Sequence, residues 1–147
     1  MDRQTRVLLL DHHPAVRRGL RALLDTEADF LVVGEAETLP AALEEAPALA
    51  PDVIVMEWPA SHRGGAAPVA RLHSALPDAH ILILTNNTKS GLMKAALAAG
   101  AEGYLLKGPA LCEIVQAIRR VGRGEGVFHP AVSRALLQSE GRDGGSE

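Results

Sequence analysis

Cysteine is nearly absent: Cys112 stands alone in 147 residues, which excludes a disulfide within the chain and a cysteine-built zinc centre. Its place in a helical pattern suits a small buried apolar residue. Aromatic residues make up only 3% while hydrophobic residues make up 47%, so the interior has to be built from Leu, Val, Ile and Ala. No apolar run approaches the ~18 residues that cross a bilayer. The first one, Val7 to Leu10, is too short for a signal-peptide core and passes at once into Asp11-His12-His13. A cytoplasmic domain with no membrane partner is the expectation. A basic excess is missing too: 15 Lys and Arg against 18 Asp and Glu leave a net charge of −3, which argues against a nucleic-acid surface. Arg17, Arg18 and Arg21, with Arg119, Arg120 and Arg123, are therefore expected to be solvated helix faces.

What is present is an alternation. Val7-Leu8-Leu9-Leu10, Phe30-Leu31-Val32-Val33, Val53-Ile54-Val55-Met56, Ile81-Leu82-Ile83-Leu84 and Tyr104-Leu105-Leu106 are short continuous apolar runs, as strands covered on both faces would be. Helical patterns separate them. Pro14 suits a first turn, after which Val16, Leu20, Leu23 and Leu24 share a face. A shorter helix from Leu39 to Ala46 ends near Pro47, and one from Pro68 to Ala75 stops at Pro77. Leu92, Ala95, Ala96 and Ala99 lead to a closing Gly100. The last helix spans Ala110 to Val121, with Leu111, Ile114, Val115 and Ile118 on one side. Five strand–helix repeats predict an α/β fold, a doubly wound parallel sheet of order 2-1-3-4-5 with helices on both faces, in three αβα layers. Residues 1–129 make that domain. In 130–147, Pro130 to Gln138 is expected as a short helix, and Gly141 to Glu147 as linker or disordered tail.

In such a sheet, function gathers at the carboxyl ends of the strands. Asp11, His12 and His13 follow the first strand, Glu57 the third, Thr85 the fourth and Lys107 the fifth. Two carboxylates there suit a hard cation such as Mg²⁺, and a hydroxyl with an ammonium suits phosphoryl oxygens. With these residues the sequence resembles the receiver domains of response regulators, especially those joined to a LuxR-type helix-turn-helix. The resemblance covers residues 5 to 129. It rests on Val7 to Leu20 (Val-Leu-Leu-Leu-Asp-His-His-Pro-Ala-Val-Arg-Arg-Gly-Leu), Pro51 to Glu57, Ile81 to Thr85, and Ala99 to Lys107.

The resemblance implies roles and also marks departures. The family's acidic pair becomes Asp11 and His12, and its phosphoacceptor aspartate falls on Glu57. The Met-Pro turn after that residue is replaced by Trp58-Pro59-Ala60-Ser61, although Gly65 still matches. Thr85 is the switch hydroxyl, Lys107 the phosphoryl-contact amine and Tyr104 the aromatic whose rotation reports activation. Asn86 replaces the usual small residue. Glutamate carries its carboxylate about 1.5 Å further than aspartate, and in-line phosphoryl transfer depends on positioning. His12 offers nitrogen where Mg²⁺ prefers oxygen.

An atypical receiver with no catalytic residues of its own, and not an enzyme, is therefore expected. It would signal in transcription regulation without phosphorylation, by protein–protein contact or homodimerisation. No cofactor is required on this reading, and Mg²⁺ binding at Asp11, His12 and Glu57 is weakened. Glu57 has two local readings, an ion pair with Lys107 or a permanent imitation of the phosphorylated state. The alternatives are a phosphoaccepting receiver of a two-component system and a small-ligand sensor using the altered acidic pocket, the latter favoured if Trp58 forms an apolar rim. His12 is a candidate proton-sensitive partner of Glu57, because histidine titrates near neutral pH. Only one of the two neighbouring histidines is expected to face the pocket, His13 being the structural one. A transition metal there is the minor reading. Tyr104, with Leu92 and Ala96, belongs either to the core or to a pairing face. The family usually continues into a DNA-binding domain, so a longer parent chain is an open expectation, with no nucleic-acid contact by these residues themselves.

Overall fold

The structure, a computed structural model, describes residues 3–57, 66–85, 90–106 and 111–128, together with 130, 133, 134 and 137. Successive strand side chains point to opposite faces, and in this chain both faces are apolar. The elements run β1 (Thr5–Leu10), α1 (Pro14–Asp25), β2 (Phe30–Ala36), α2 (Leu39–Leu49), β3 (Val53–Glu57), α3 (Ala67–Ala75), β4 (His80–Thr85), α4 (Ser90–Ala99), β5 (Ala101–Leu106), α5 (Leu111–Gly122) and β6 (Val127–Phe128). The sheet order is β2-β1-β3-β4-β5-β6, with every pairing parallel.

Alternate residues divide the core in two. Leu8, Leu10, Ile54, Met56, Ile81 and Ile83 meet Ala42 and Ala46 of α2, Val69 and Leu72 of α3, and Met93 and Ala96 of α4. Val7, Leu9, Val53, Val55, Leu82 and Leu84 meet Leu20 and Leu24 of α1 and Ile114, Val115, Ile118 and Val121 of α5. The five-strand expectation is thus met and extended by one strand. Sequence reading missed β6 because two residues after a glycine-rich turn carry no periodic signal. They pair Val127 with Gly103 and Phe128 with Tyr104.

Two helix ends repay attention. α2 does not stop at Pro47, as expected, but runs through it to Leu49. Proline removes one hydrogen bond near the end of a helix, and a single remaining turn survives that loss. The stop is made by Ala50, in the left-handed conformation at φ 48°, followed by Pro51. Gly100 ends α4 at φ +123°, a backbone that side chains resist. Gly103 has a different reason. A Cβ there would lie 2.6 Å from Leu82 Cδ1 and 3.0 Å from Val121 Cγ2, so α5 packs down onto the sheet only over a residue without a side chain. The Pro130 to Gln138 expectation and the tail fall largely outside the described residues.

Candidate functional site

Strand register brings the site together. Leu10 lies opposite Met56, so Asp11, one residue on, comes beside Glu57 at the tip of β3. Glu57 lies opposite Leu84, one residue before Thr85 at the tip of β4. Asp11 is 5% exposed and Thr85 fully buried. Tyr104 of β5 is also fully buried, and burial pushes its hydroxyl up to about 12, so the phenol stays neutral.

The tip of β1 is shaped by its own side chains. The Asp11 carboxylate accepts the backbone N–H of His13 at 2.8 Å, an aspartate-initiated turn that swings the chain into α1. His13 is the N-cap residue of α1, with extended backbone, yet its side chain caps nothing there. Its Nδ1 lies 3.1 Å from Asp11 Oδ1 and 3.5 Å from Glu57 Oε1. His12 Nδ1 lies 2.7 Å from Glu57 Oε2, a close contact without the alignment of a hydrogen bond. The two rings sit with centroids 4.0 Å apart, tilted by 37°. Both histidines therefore lie against Glu57, although of the two only His12 lines the adjoining cavity. The tight turn places consecutive rings side by side over one carboxylate, which a loop without the Asp11 turn would not do. Both imidazole side chains are 51% exposed, against 7% for Glu57.

Arg17 of α1 braces the turn from below by donating to the Asp11 carbonyl oxygen. Arg17 and Arg21 also bracket Glu35 of β2, at 3.4 and 2.6 Å. A cavity of about 170 Å³ opens beside the cluster, lined by Leu10, Asp11, His12, Glu37, Leu39, Met56, Glu57 and Pro68.

An acid at the tip of β1, another at the tip of β3 and a buried hydroxyl at the tip of β4 mark a phosphoryl-switch scaffold. Residues 7–119 match the family described as response regulator receiver domain. The chain belongs to that family. The DNA-binding transcriptional activator DevR/DosR of Mycobacterium tuberculosis is 36% identical over 132 residues, covering 90% of this chain and 61% of its own length. Response regulator protein VraR of Staphylococcus aureus is 35% identical over 127 residues, covering 86% of this chain and 61% of its own. The receiver thus spans about three fifths of these curated relatives. Among solved structures, a LuxR-family two-component response regulator from Aurantimonas superposes with TM-score 0.82 at 29% identity, over 93% of this chain and 98% of that one. The isolated receiver domain of RcsB from Salmonella enterica serovar Typhimurium, solved with the phosphomimetic BeF₃⁻, gives 0.79 at 28%, over 90% and 99%.

Of the residues singled out in the sequence, the receiver fold gathers Asp11, His12 and Glu57 into one cluster, adds His13 to it, and sets Thr85 at the neighbouring strand tip. Lys107 lies outside the described residues, as do Trp58, Gly65 and Asn86. The described partners of Glu57 are His12 and His13. Cys112 falls in α5, its side chain outside the described residues. Arg18, Arg21, Arg120 and Arg123 lie on exposed helix faces, as expected, while Arg17 and Arg119 are half-buried, and all of these but Arg18 have an acid beside them among the described residues. Arg119 holds Asp29 with two nitrogens at 2.8 and 3.1 Å, and Arg120 and Arg123 meet Glu125 at 3.4 and 2.7 Å. Among the described residues no helix is long and apolar enough to cross a membrane.

The Mg²⁺ that the family resemblance implies fits this donor set poorly. Mg²⁺ takes six oxygens in near-octahedral order at about 2.0–2.1 Å. Here two of the four converging donors are imidazole nitrogens.

Proposed function

We propose that this receiver signals without phosphoryl transfer, as a binding switch in two-component regulation and not as an enzyme. The observation that carries the reading is the engagement of Glu57. The carboxylate standing in the acceptor position is one methylene too long, and its two oxygens face His12 and His13 at 2.7 and 3.5 Å. An acceptor needs a metal-neutralised carboxylate exposed to an in-line donor. This one is 7% exposed, and imidazole nitrogens stand where a metal-bound oxygen is needed. Magnesium binding is weakened in consequence, and no cofactor is required.

On this reading the output is a protein contact, between two copies of the receiver or with a partner protein in the cytoplasm. DevR/DosR is named a DNA-binding transcriptional activator, and RcsB has been solved as dimers bound to DNA. By analogy the present receiver controls transcription through a DNA-binding domain in a longer parent chain, making no nucleic-acid contact itself. The pairing of Arg17, Arg21, Arg119, Arg120 and Arg123 with carboxylates supports that division of labour, because matched charges leave little net field to attract phosphates.

Incubation with acetyl phosphate and Mg²⁺, read by intact mass, tests the reading. The native chain is expected to gain no phosphoryl mass, and the variant Glu57→Asp with His12→Asp to gain one. A stable phosphoryl group on the native chain overturns the proposal.

A further inference from the structure

We infer that Asp11, His12, His13 and Glu57 form a binding site for a borderline divalent transition-metal ion of the zinc class, in place of the hard Mg²⁺ that two acids would select. The inference extends the phosphorylation-independent reading by giving the altered pocket a ligand of its own.

Geometry comes first. One donor atom from each of the four residues lies within 4.8 Å of every other. A tetrahedral ion with bonds of about 2.0 Å holds its donors about 3.3 Å apart. The direct separations here are 2.7 Å (His12 to Glu57), 3.1 Å (His13 to Asp11) and 3.5 Å (His13 to Glu57). These three contacts lie near the required value, two of them through different oxygens of Glu57, and the remaining donor pairs lie within 4.8 Å, so rotation of these side chains closes the set around an ion. Two are neutral-capable nitrogens and two are carboxylate oxygens, a set that suits zinc and its neighbours and that hard oxygen-seeking cations disfavour.

The framework around the donors is that of a built site. Asp11 and Glu57 are anchored at the tips of adjacent parallel strands and are 5% and 7% exposed. Arg17 fixes the Asp11 backbone from beneath. His12 and His13 are half exposed, so their side offers an ion a way in, and the 170 Å³ cavity lined by Asp11, His12 and Glu57 leaves room for a water or a small anion as a further ligand. Consecutive Asp-His-His ligands share one short turn, so ordering the first nitrogen largely orders the second.

The test is a calorimetric titration of the full chain with Zn²⁺ alone, in buffer already containing millimolar Mg²⁺. His12→Ala, His13→Ala and Glu57→Gln are titrated beside it, with His80→Ala as the control for a His–carboxylate contact away from the site, His80 with Glu102. Circular dichroism of each variant confirms its fold. The native chain and His80→Ala are expected to bind one Zn²⁺ per chain. Losing a mere outer-shell partner weakens metal sites about 10–100-fold, so each of the three site variants is expected to lose at least about tenfold. A tetrahedral Co²⁺ spectrum in the native chain, absent from His12→Ala, supports the same site. No Zn²⁺ binding by the native chain overturns the inference, as does binding that the His12 and His13 variants retain or that Mg²⁺ displaces. The acetyl phosphate experiment separates the two proposals. A chain that binds no Zn²⁺ and takes no phosphate sinks the metal site alone, and a chain that takes phosphate sinks the phosphorylation-independent reading whatever its metal binding.

Discussion

The two ends of this sheet both set carboxylates against basic side chains, but of different kinds. At the amino end the partner is arginine. Asp52 accepts the Arg6 backbone N–H at 2.8 Å and the Arg3 guanidinium at 2.6 Å. Asp29, in the turn before β2, is gripped by Arg119, which also lies 5.2 Å from the centre of the Phe30 ring. At the carboxyl end the partners of Asp11 and Glu57 among the described residues are histidines. A guanidinium keeps its charge at every physiological pH and has no lone pair to offer a metal. An imidazole can lose its proton and present a nitrogen. The amino end is thus a permanent clasp holding α5 and the strand starts. The carboxyl end is exchangeable, its carboxylates held by groups that a ligand can replace.

That contrast is open to attack from both sides. The largest effect is expected from Asp52→Ala, which strands the partly buried Arg6 N–H and removes the partner of the Arg3 guanidinium. Urea unfolding should show a loss of about 2 kcal/mol, the cost of an unsatisfied buried donor. Next comes Arg119→Ala, at about 1 kcal/mol, since its ion pairs are half exposed and screened while its contact with Phe30 adds packing. The Arg119 guanidinium holds the Asp29 carboxyl below its usual range. A depressed carboxylate stabilises the fold above the unfolded value, near 3.9, and stops doing so as pH falls through the folded one. The stability gap between the native chain and Arg119→Ala should therefore be full at neutral pH and close below about pH 4. A gap independent of pH leaves only the packing contribution.

Glu57→Gln is expected to cost less than about 1 kcal/mol, because the amide keeps a polar group beside two histidines that are half exposed to water. A loss as large as that of Asp52→Ala breaks the comparison, making the carboxyl-end cluster a structural clasp as well. The smallest effect belongs to Ala50→Gly, back at the amino end, where relief of the left-handed backbone should raise stability by about 0.5 kcal/mol in thermal melts. No gain there means that the added freedom of the unfolded chain cancels the relieved strain.

Much of this was written in the chain before it folded. Continuous apolar runs separated by amphipathic segments leave little choice besides a parallel sheet covered on both faces, and the structure follows them strand by strand. Where the reading slipped, the signal was local and weak. The two residues of β6 have too little length for periodicity, and Pro47 looks like a helix stop although the turn after it still closes. Asp11, His12 and Glu57 were legible as a set because parallel strands bring their ends to one edge, and the residue types stood out against the family pattern.

Sequence by itself determined the class of fold, the edge of the sheet where function sits and the departure from an all-acidic site, since these depend on periodicity, strand order and residue identity alone. Only the tertiary structure decided that His13 joins His12 over Glu57 and that five arginines are spent on acids. Those facts depend on which way a side chain turns from its backbone, and here that was set by an aspartate-held turn and by contacts between residues as far apart as Asp29 and Arg119.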